Sequence, residues 1–239
     1  AALLETTEPQ PGPKSFLVED FIPGFEVALE GMLDNGVLRV LALFDKPDPL
    51  DGPFFEETIY VTPSRLPPDV QTAIGECAAH AAQAIGLRTG PMHAELRVNH
   101  RGPWIVELAG RSIGGLCSQT LRFGTDASLE ELIIRQACGL PLEGLSRAGQ
   151  AGGVMMIPIP GAGMLRSVSG VDEARAVPGV EDVEITAPLH NPIVPLPEGD
   201  SYLGFIFARG ERPASVERAL REAHARLHFE IVPNILLAM

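Results

Sequence analysis

Several things are scarce in this 239-residue chain, and each scarcity excludes something. Basic residues are outnumbered, with 18 Lys and Arg against 31 Asp and Glu, giving a net charge of −13. No Lys/Arg cluster overrides that field, so no nucleic-acid partner is expected. No apolar run reaches the roughly 18 residues of a membrane-spanning helix, so no membrane partner is expected either. The N-terminus, AALLETTEPQPGPK, has neither a basic start nor a cleavable secretion pattern. Aromatics make up 5% of the residues, so the core should be mostly aliphatic. The cysteines, Cys77, Cys117 and Cys138, are three in number and form no C-x-x-C pair. They read as buried free thiols of a reducing compartment, not a zinc site, which makes a cytoplasmic protein of bacterial type the default.

The abundant residues complete that picture. Hydrophobic residues at 45% supply a real core, enough for one or two domains. The 25 glycines and 22 prolines imply many turns and short strands. Asp34-Asn35-Gly36 separates two apolar runs and predicts an antiparallel hairpin of residues 25–33 and 37–44. A short strand is expected over 58–62. Pro67-Pro68 opens a helix whose apolar residues recur at helical spacing until Gly86. Residues 128–138 read as a helix behind a Ser128/Glu131 capping box. The small, polar stretch 142–153 divides the chain, with a first domain at 1–148 and a second at 149–239. In the second, strands are expected over 154–159, 180–186, 202–209 and 228–232, with helices over 171–176 and from Pro213 to about 227. The fold class is α+β. Residues 1–15 look like a helix end followed by a loop.

The stretch MHAELRVNHRGPWIVELAGR, 92–111, carries the chemistry. Two apolar runs flank the turn Asn99-His100-Arg101-Gly102 and predict a hairpin. If the turn centres on Arg101, Leu96 faces Val106, Val98 faces Trp104, and Glu95 faces Glu107. Directly opposed residues have Cβ atoms about 4.5–5.5 Å apart, so two acids there repel. A divalent cation resolves the repulsion, because Mg²⁺ is held by one or two carboxylates plus phosphate oxygens and water. A solvent-facing acidic sheet surface is the plainer alternative. Arg111 falls on the same side if the strand continues without a bulge. A guanidinium beside a metal suits phosphate or carboxylate.

Taken whole, HAEL…GPWIVELAGRSIGG resembles the metal-binding hairpin of the ATP-grasp superfamily. FLVEDFIPGFEVALEGML resembles the same superfamily's adenine-hinge strand. The resemblance covers about 16–140, and the 150–239 part looks like the C-terminal lobe of the amino-acid-ligase branch. It implies the antiparallel-sheet half of an ATP-grasp domain plus a small C-terminal α+β lobe. It implies ATP with Mg²⁺, or Mn²⁺ in its place, as cofactors. The backbone around Glu19, Phe21 and Ile22 would hold the adenine, and Glu26 the ribose hydroxyls. Glu95 and Glu107 would ligate the metal, and Arg111 would stabilise the transferring phosphoryl group or the acyl phosphate.

Other positions stay open. Lys46 reaches a phosphate or a substrate carboxylate, or is a solvated loop lysine. Glu57 lines an acceptor pocket or does not. His93 reads as a packed core histidine and His80 as surface. Ala109 stands where many relatives have Asn, a form of the amino-acid and dipeptide ligase branch. Arg97 stands where many have an apolar residue, and would stack on the base if it faced the site.

The implied reaction is carboxylate–amine ligation through an acyl phosphate, with small-molecule carboxylate and amine substrates, an amino acid among them. Other ATP-grasp chemistry (a purine-pathway ligase or biotin-type carboxylase), a non-catalytic nucleotide-binding module and a metal-free acidic interaction domain are the alternatives. The lysines and glycine-rich lid that precede the hinge in the superfamily do not appear ahead of Glu19. The chain is therefore expected to be the C-terminal part of a larger enzyme, inactive without the N-terminal ATP-grasp half. A homodimer is a further expectation from the relatives.

Overall fold

The structure, a computed structural model, describes residues 18–50, 56–124, 126–142, 146–147 and 149–233. The helix end and loop expected within 1–15 lie outside them. The chain runs β1 (Phe25–Asp34), β2 (Val37–Asp45), β3 (Ile59–Thr62), α1 (Pro68–Ala84), β4 (Gly90–Asn99) and β5 (Gly102–Ala109). A 3-10 turn at Cys117–Thr120 and α2 (Leu129–Ala137) follow. Then come β6 (Ala151–Ile157), β7 (Gly163–Ser169), α3 (Val171–Arg175), β8 (Val180–Ile185), β9 (Pro192–Ile193), β10 (Gly204–Gly210), α4 (Pro213–His224) and β11 (His228–Val232).

Eight strands form one sheet in the order β5-β4-β1-β2-β3-β6-β10-β8, and β11-β7-β9 form a second, small one. The large sheet continues through β3 and β6, past the 142–153 stretch. β6 begins at Ala151, three residues ahead of its expected start. Gly152 and Gly153 belong to the strand because their neighbours leave no room for a side chain. A Cβ at Gly153 would lie 2.8 Å from Val216 and 2.9 Å from the Tyr60 carbonyl, so glycine lets α4 settle on the sheet.

The first hairpin forms as the turn residues demand. Asn35 and Gly36 both take positive φ, 49° and 88°, the conformation of a tight two-residue turn. In α1, Pro68 occupies the first turn and Asp69 adds an acid near the positive end. Its buried face is Ile74, Ala78 and Ala82, spaced to cover β1, β2 and β4. α2 is capped by Ser128, whose Oγ accepts the Glu131 amide at 3.2 Å.

Strand alternation then separates the two sheet faces. Val27, Leu29, Met92, Ala94 and Leu96 pack toward α1. Ile59, Val61, Met155 and Ile206 pack toward α4 on the same side. The opposite face carries Ala28, Met32, Phe44, Tyr60, Met156 and Phe205, partly covered by Leu121, Phe123 and α2. That second face also bears the charged residues of β1 and β4.

Two expectations need correction here, and two strands are additional. Cys117 is buried, but Cys77 is half-buried and Cys138 exposed, because Cys138 caps the C-terminus of α2. The 4–5 hairpin pairs Glu95 with Glu107 as expected, but Leu96 faces Ile105 and Val98 faces Pro103. A bulge beside Val106 shifts the register by one residue. β7 and β9 had no expected counterpart.

Candidate active site

The register of β1 against β4 assembles the charged face. Glu26 pairs with Arg97, Ala28 with Glu95, and Glu30 with His93. Glu26 and Glu30 thus each lie opposite a base of β4, with the small Ala28 leaving space in front of Glu95. All four end residues are buried.

Burial forces these charges into pairs. Arg97 donates from Nε to Glu26 Oε2 at 2.7 Å and from Nη1 to the Ile22 carbonyl at 3.0 Å, and also reaches the Leu50 carbonyl. Its guanidinium lies 4.7 Å from the centre of the Phe21 ring. Arg97 is not part of the cavity wall; buried on the same sheet face as Glu95, it ties Phe21 and Ile22 of the expected hinge to β1 and β4. Glu19 and Phe21 are exposed, and Ile22 is half-buried. Glu26 takes Arg97 on Oε2 and Lys46 on Oε1 at 2.8 Å. Both Glu26 oxygens thus already accept from a buried cation before any ribose hydroxyl is added.

His93 is buried, yet its partners are acids rather than apolar groups. Nδ1 meets Glu30 Oε1, and Nε2 lies 3.4 Å from Glu95 Oε1. Burial alone would lower its pKa; the two carboxylates outweigh that and raise it to about 9. Burial pushes the Glu30 carboxyl upward, against the pull of His93. Glu30 Oε2 also accepts the Ile113 amide at 3.2 Å. This fixes the chain just after Arg111.

Lys46 is not a solvated lysine: its side chain is 3% exposed. The ammonium lies among Glu26, Glu57 and Glu95. Burial acts to lower its pKa, but the three carboxylates raise it. Glu95 shows the reciprocal effect. Burial would raise its pKa, yet the His93 hydrogen bond and the Lys46 charge lower it to about 2.

These groups open onto a cavity of about 1010 Å³ whose wall includes Glu57, Tyr60, His93, Glu95, Glu107 and Arg111. Glu107 and Arg111 stand at its edge, each 55% exposed, with Nη2 of Arg111 3.5 Å from Glu107 Oε1. Gly114 and Gly115 line it next, then Met156, Tyr202 and Phe205 from the far half of the sheet. The donor chemistry at Glu95 and Glu107 fits a hard divalent cation: two carboxylates on adjacent strands, one of them well exposed, beside open space for water and phosphate oxygens. Ala109, opposite His93, offers no oxygen to such an ion.

The structure therefore brings Glu95, Glu107 and Arg111 to one cavity and gathers Glu26 and Lys46 immediately behind Glu95. Glu57, left open by the sequence, belongs to both groups. Glu30, Tyr60 and Tyr202 were missed. For Glu30 the signal was present, since Glu26 and Glu30 point to one face of a strand whose other residues from Phe25 to Leu33 carry no charge.

Comparisons with known proteins agree with the fold. Residues 5–120 match the ATP-grasp domain, and residues 155–232 match the L-amino acid ligase C-terminal domain 2. The chain is similar to the solved L-amino acid ligase of Bacillus licheniformis, with a TM-score of 0.79 and 29% identity, over 89% of this chain and 53% of that one. It is 31% identical to carnosine synthase of Gallus gallus over 129 residues, covering 53% of this chain and 14% of that protein. It is 28% identical to alanine–anticapsin ligase of Bacillus subtilis over 127 residues, covering 46% and 26% respectively. The chain thus spans about half the length of the solved ligase and less of the two curated relatives. No helix among the described residues is long and apolar enough to cross a membrane. With an ATP-grasp domain followed by the C-terminal domain of L-amino acid ligases, the chain belongs to the ATP-grasp superfamily.

Proposed function

We propose that this chain carries the metal end of the active site of an ATP-dependent carboxylate–amine ligase with an amino acid among its substrates. The single observation that carries this reading is Glu95 opposite Glu107 across the hairpin, with Arg111 beside them at one cavity wall. Support also comes from relatives that are named as ligases of amino acids.

In the proposed reaction a substrate carboxylate oxygen attacks the γ-phosphorus of ATP, and ADP leaves. The acyl phosphate then takes an amine at its carbonyl carbon, the amine loses a proton, and inorganic phosphate departs. Arg111 lies where its guanidinium can offset charge on the transferring group, and its half-exposed position leaves it free to turn toward a ligand. Glu95 and Glu107 would hold Mg²⁺, which supplies charge neutralisation at the phosphate oxygens. The hinge backbone at Glu19, Phe21 and Ile22 would take the adenine, its position fixed from behind by Arg97. Glu26 acts in this reading first as the anchor of Arg97 and Lys46. The reading expects an N-terminal ATP-grasp half as partner, a homodimer as the assembly, and no ATP turnover by the 239-residue chain alone.

The test is ATP-dependent phosphate release by the full-length protein against a panel of amino-acid pairs, with the amide product identified by mass. Release that depends on two amino acids, or on an amino acid and another amine, supports ligation. Release driven by bicarbonate and by no amine would replace it with carboxylase chemistry.

A further inference from the structure

One carboxylate oxygen from each of Glu26, Glu57 and Glu95 lies within 4.8 Å of the other two. Three acids that close must be neutralised, by a proton or by a cation, and the chain places a cation of its own among them. Nζ of Lys46 is 2.8 Å from Glu26 Oε1 and 3.1 Å from Glu95 Oε1, and it also meets Glu57 Oε1. An ammonium has three N–H donors, and three acceptors surround this one. The Tyr60 ring, 5.1 Å from Nζ, covers a further side. The crevice beside Lys46, toward Asp48, Leu50 and Thr58, is too small to admit a water.

We propose that Lys46 is a tethered cation occupying the place among Glu26, Glu57 and Glu95 where a divalent ion would otherwise sit, and that it positions Glu57 and Glu95 at the cavity wall. Mg²⁺ dehydrates reluctantly and keeps several waters, whereas the Lys46 ammonium has carboxylate oxygens of Glu26, Glu57 and Glu95 in place of its water. The enclosed group is thus matched to the lysine. An ion reaching Glu95 must come from the cavity side, where Glu107 stands. With its donors engaged by the three acids, Lys46 is a positioning residue and not a ligand for phosphate or a substrate carboxylate. This inference concerns the nucleotide-free protein and holds whatever reaction the site performs.

Lys46→Ala removes the ammonium and leaves its volume to a hydrated ion. In metal-free, nucleotide-free full-length protein the variant should lose roughly 6–20 °C in Tm. Added Mn²⁺ should restore part of that loss. Electron paramagnetic resonance should count one more bound Mn²⁺ per chain than in the wild type. Adding Glu57→Gln, which neutralises one acid, should abolish the extra Mn²⁺ and recover stability without metal. A Lys46→Ala protein with wild-type Tm and wild-type Mn²⁺ stoichiometry overturns the proposal. So does a loss of Tm that neither Mn²⁺ nor Glu57→Gln relieves, which would mean lost packing alone. If Lys46→Ala does not fold, refolding with Mn²⁺ or with Glu57→Gln should rescue it, and failure of both rescues overturns the proposal equally.

Discussion

The inner and outer sides of the cavity wall handle charge in opposite ways. Inside, Glu26, Glu30, Lys46, His93 and Arg97 are buried and neutralise one another through short contacts. Outside, Glu107 and Arg111 are each 55% exposed and approach only to 3.5 Å. Buried charges without partners are costly, so the inner set must be complete before any ligand arrives. An exposed pair gives little stability and is easily parted, which suits groups that must transfer their contacts to a ligand. The contrast separates a frame from the residues that frame presents, and Glu95, half in each, is where the two meet.

The largest effect should come from breaking the frame. Arg97→Met leaves Glu26 with one unpaired oxygen and releases the hinge at Ile22, and should cost about 3–5 kcal/mol in denaturant unfolding. A loss below about 1 kcal/mol would mean that the inner side is no frame at all.

The next effect is on pH dependence. His93 has a folded pKa of about 9, raised above its ordinary 6.5. A raised pKa gives stability that is fully present below the unfolded value and lost as pH climbs through the folded one. Stability should therefore fall between pH 6.5 and 9 by up to about 3 kcal/mol, and His93→Gln should flatten that slope. Glu95 acts in the other direction. Its pKa is lowered from 4.5 to about 2, so its contribution is complete above 4.5 and disappears as pH falls toward 2. A stability profile that is flat from 6.5 to 9 in the wild type would remove the His93–Glu30 pair from the frame.

A smaller cost is expected away from the site, where the far half of the sheet meets α4. Gly153→Ala would press a methyl against Val216 and the Tyr60 carbonyl and should cost about 1–3 kcal/mol. The smallest effect on stability belongs to the outer pair. Glu107→Gln and Arg111→Gln should each stay within about 1 kcal/mol of the wild type by thermal unfolding.

How legible this was in the sequence depends on the range of each interaction. The turn at Asn35-Gly36, the cap at Ser128 and the facing of Glu95 and Glu107 are local, and local chemistry announces them. The bulge at Val106 leaves no mark in composition, so the pairing of Leu96 and Val98 was one residue out. β6 was placed late because Gly152-Gly153 reads as a linker until α4 is seen against it. β7 lies in a run of mixed polarity whose partner, β11, is about sixty residues away, and β9 is two residues long. The inner frame was the least legible part. Arg97 to Glu26 spans 71 positions and His93 to Glu30 spans 63. Only the register of β1 on β4 reveals that His93, Glu95 and Arg97 share a face with Glu26 and Glu30.

The central claim, that the exposed outer pair performs the chemistry the buried frame only supports, is tested most directly at Arg111. Amino-acid-dependent phosphate release should be compared between the wild-type full-length protein and Arg111→Gln, with Tm measured on the same samples. Turnover should fall roughly 10²–10³-fold while Tm stays put. Turnover equal to the wild type's would contradict the account.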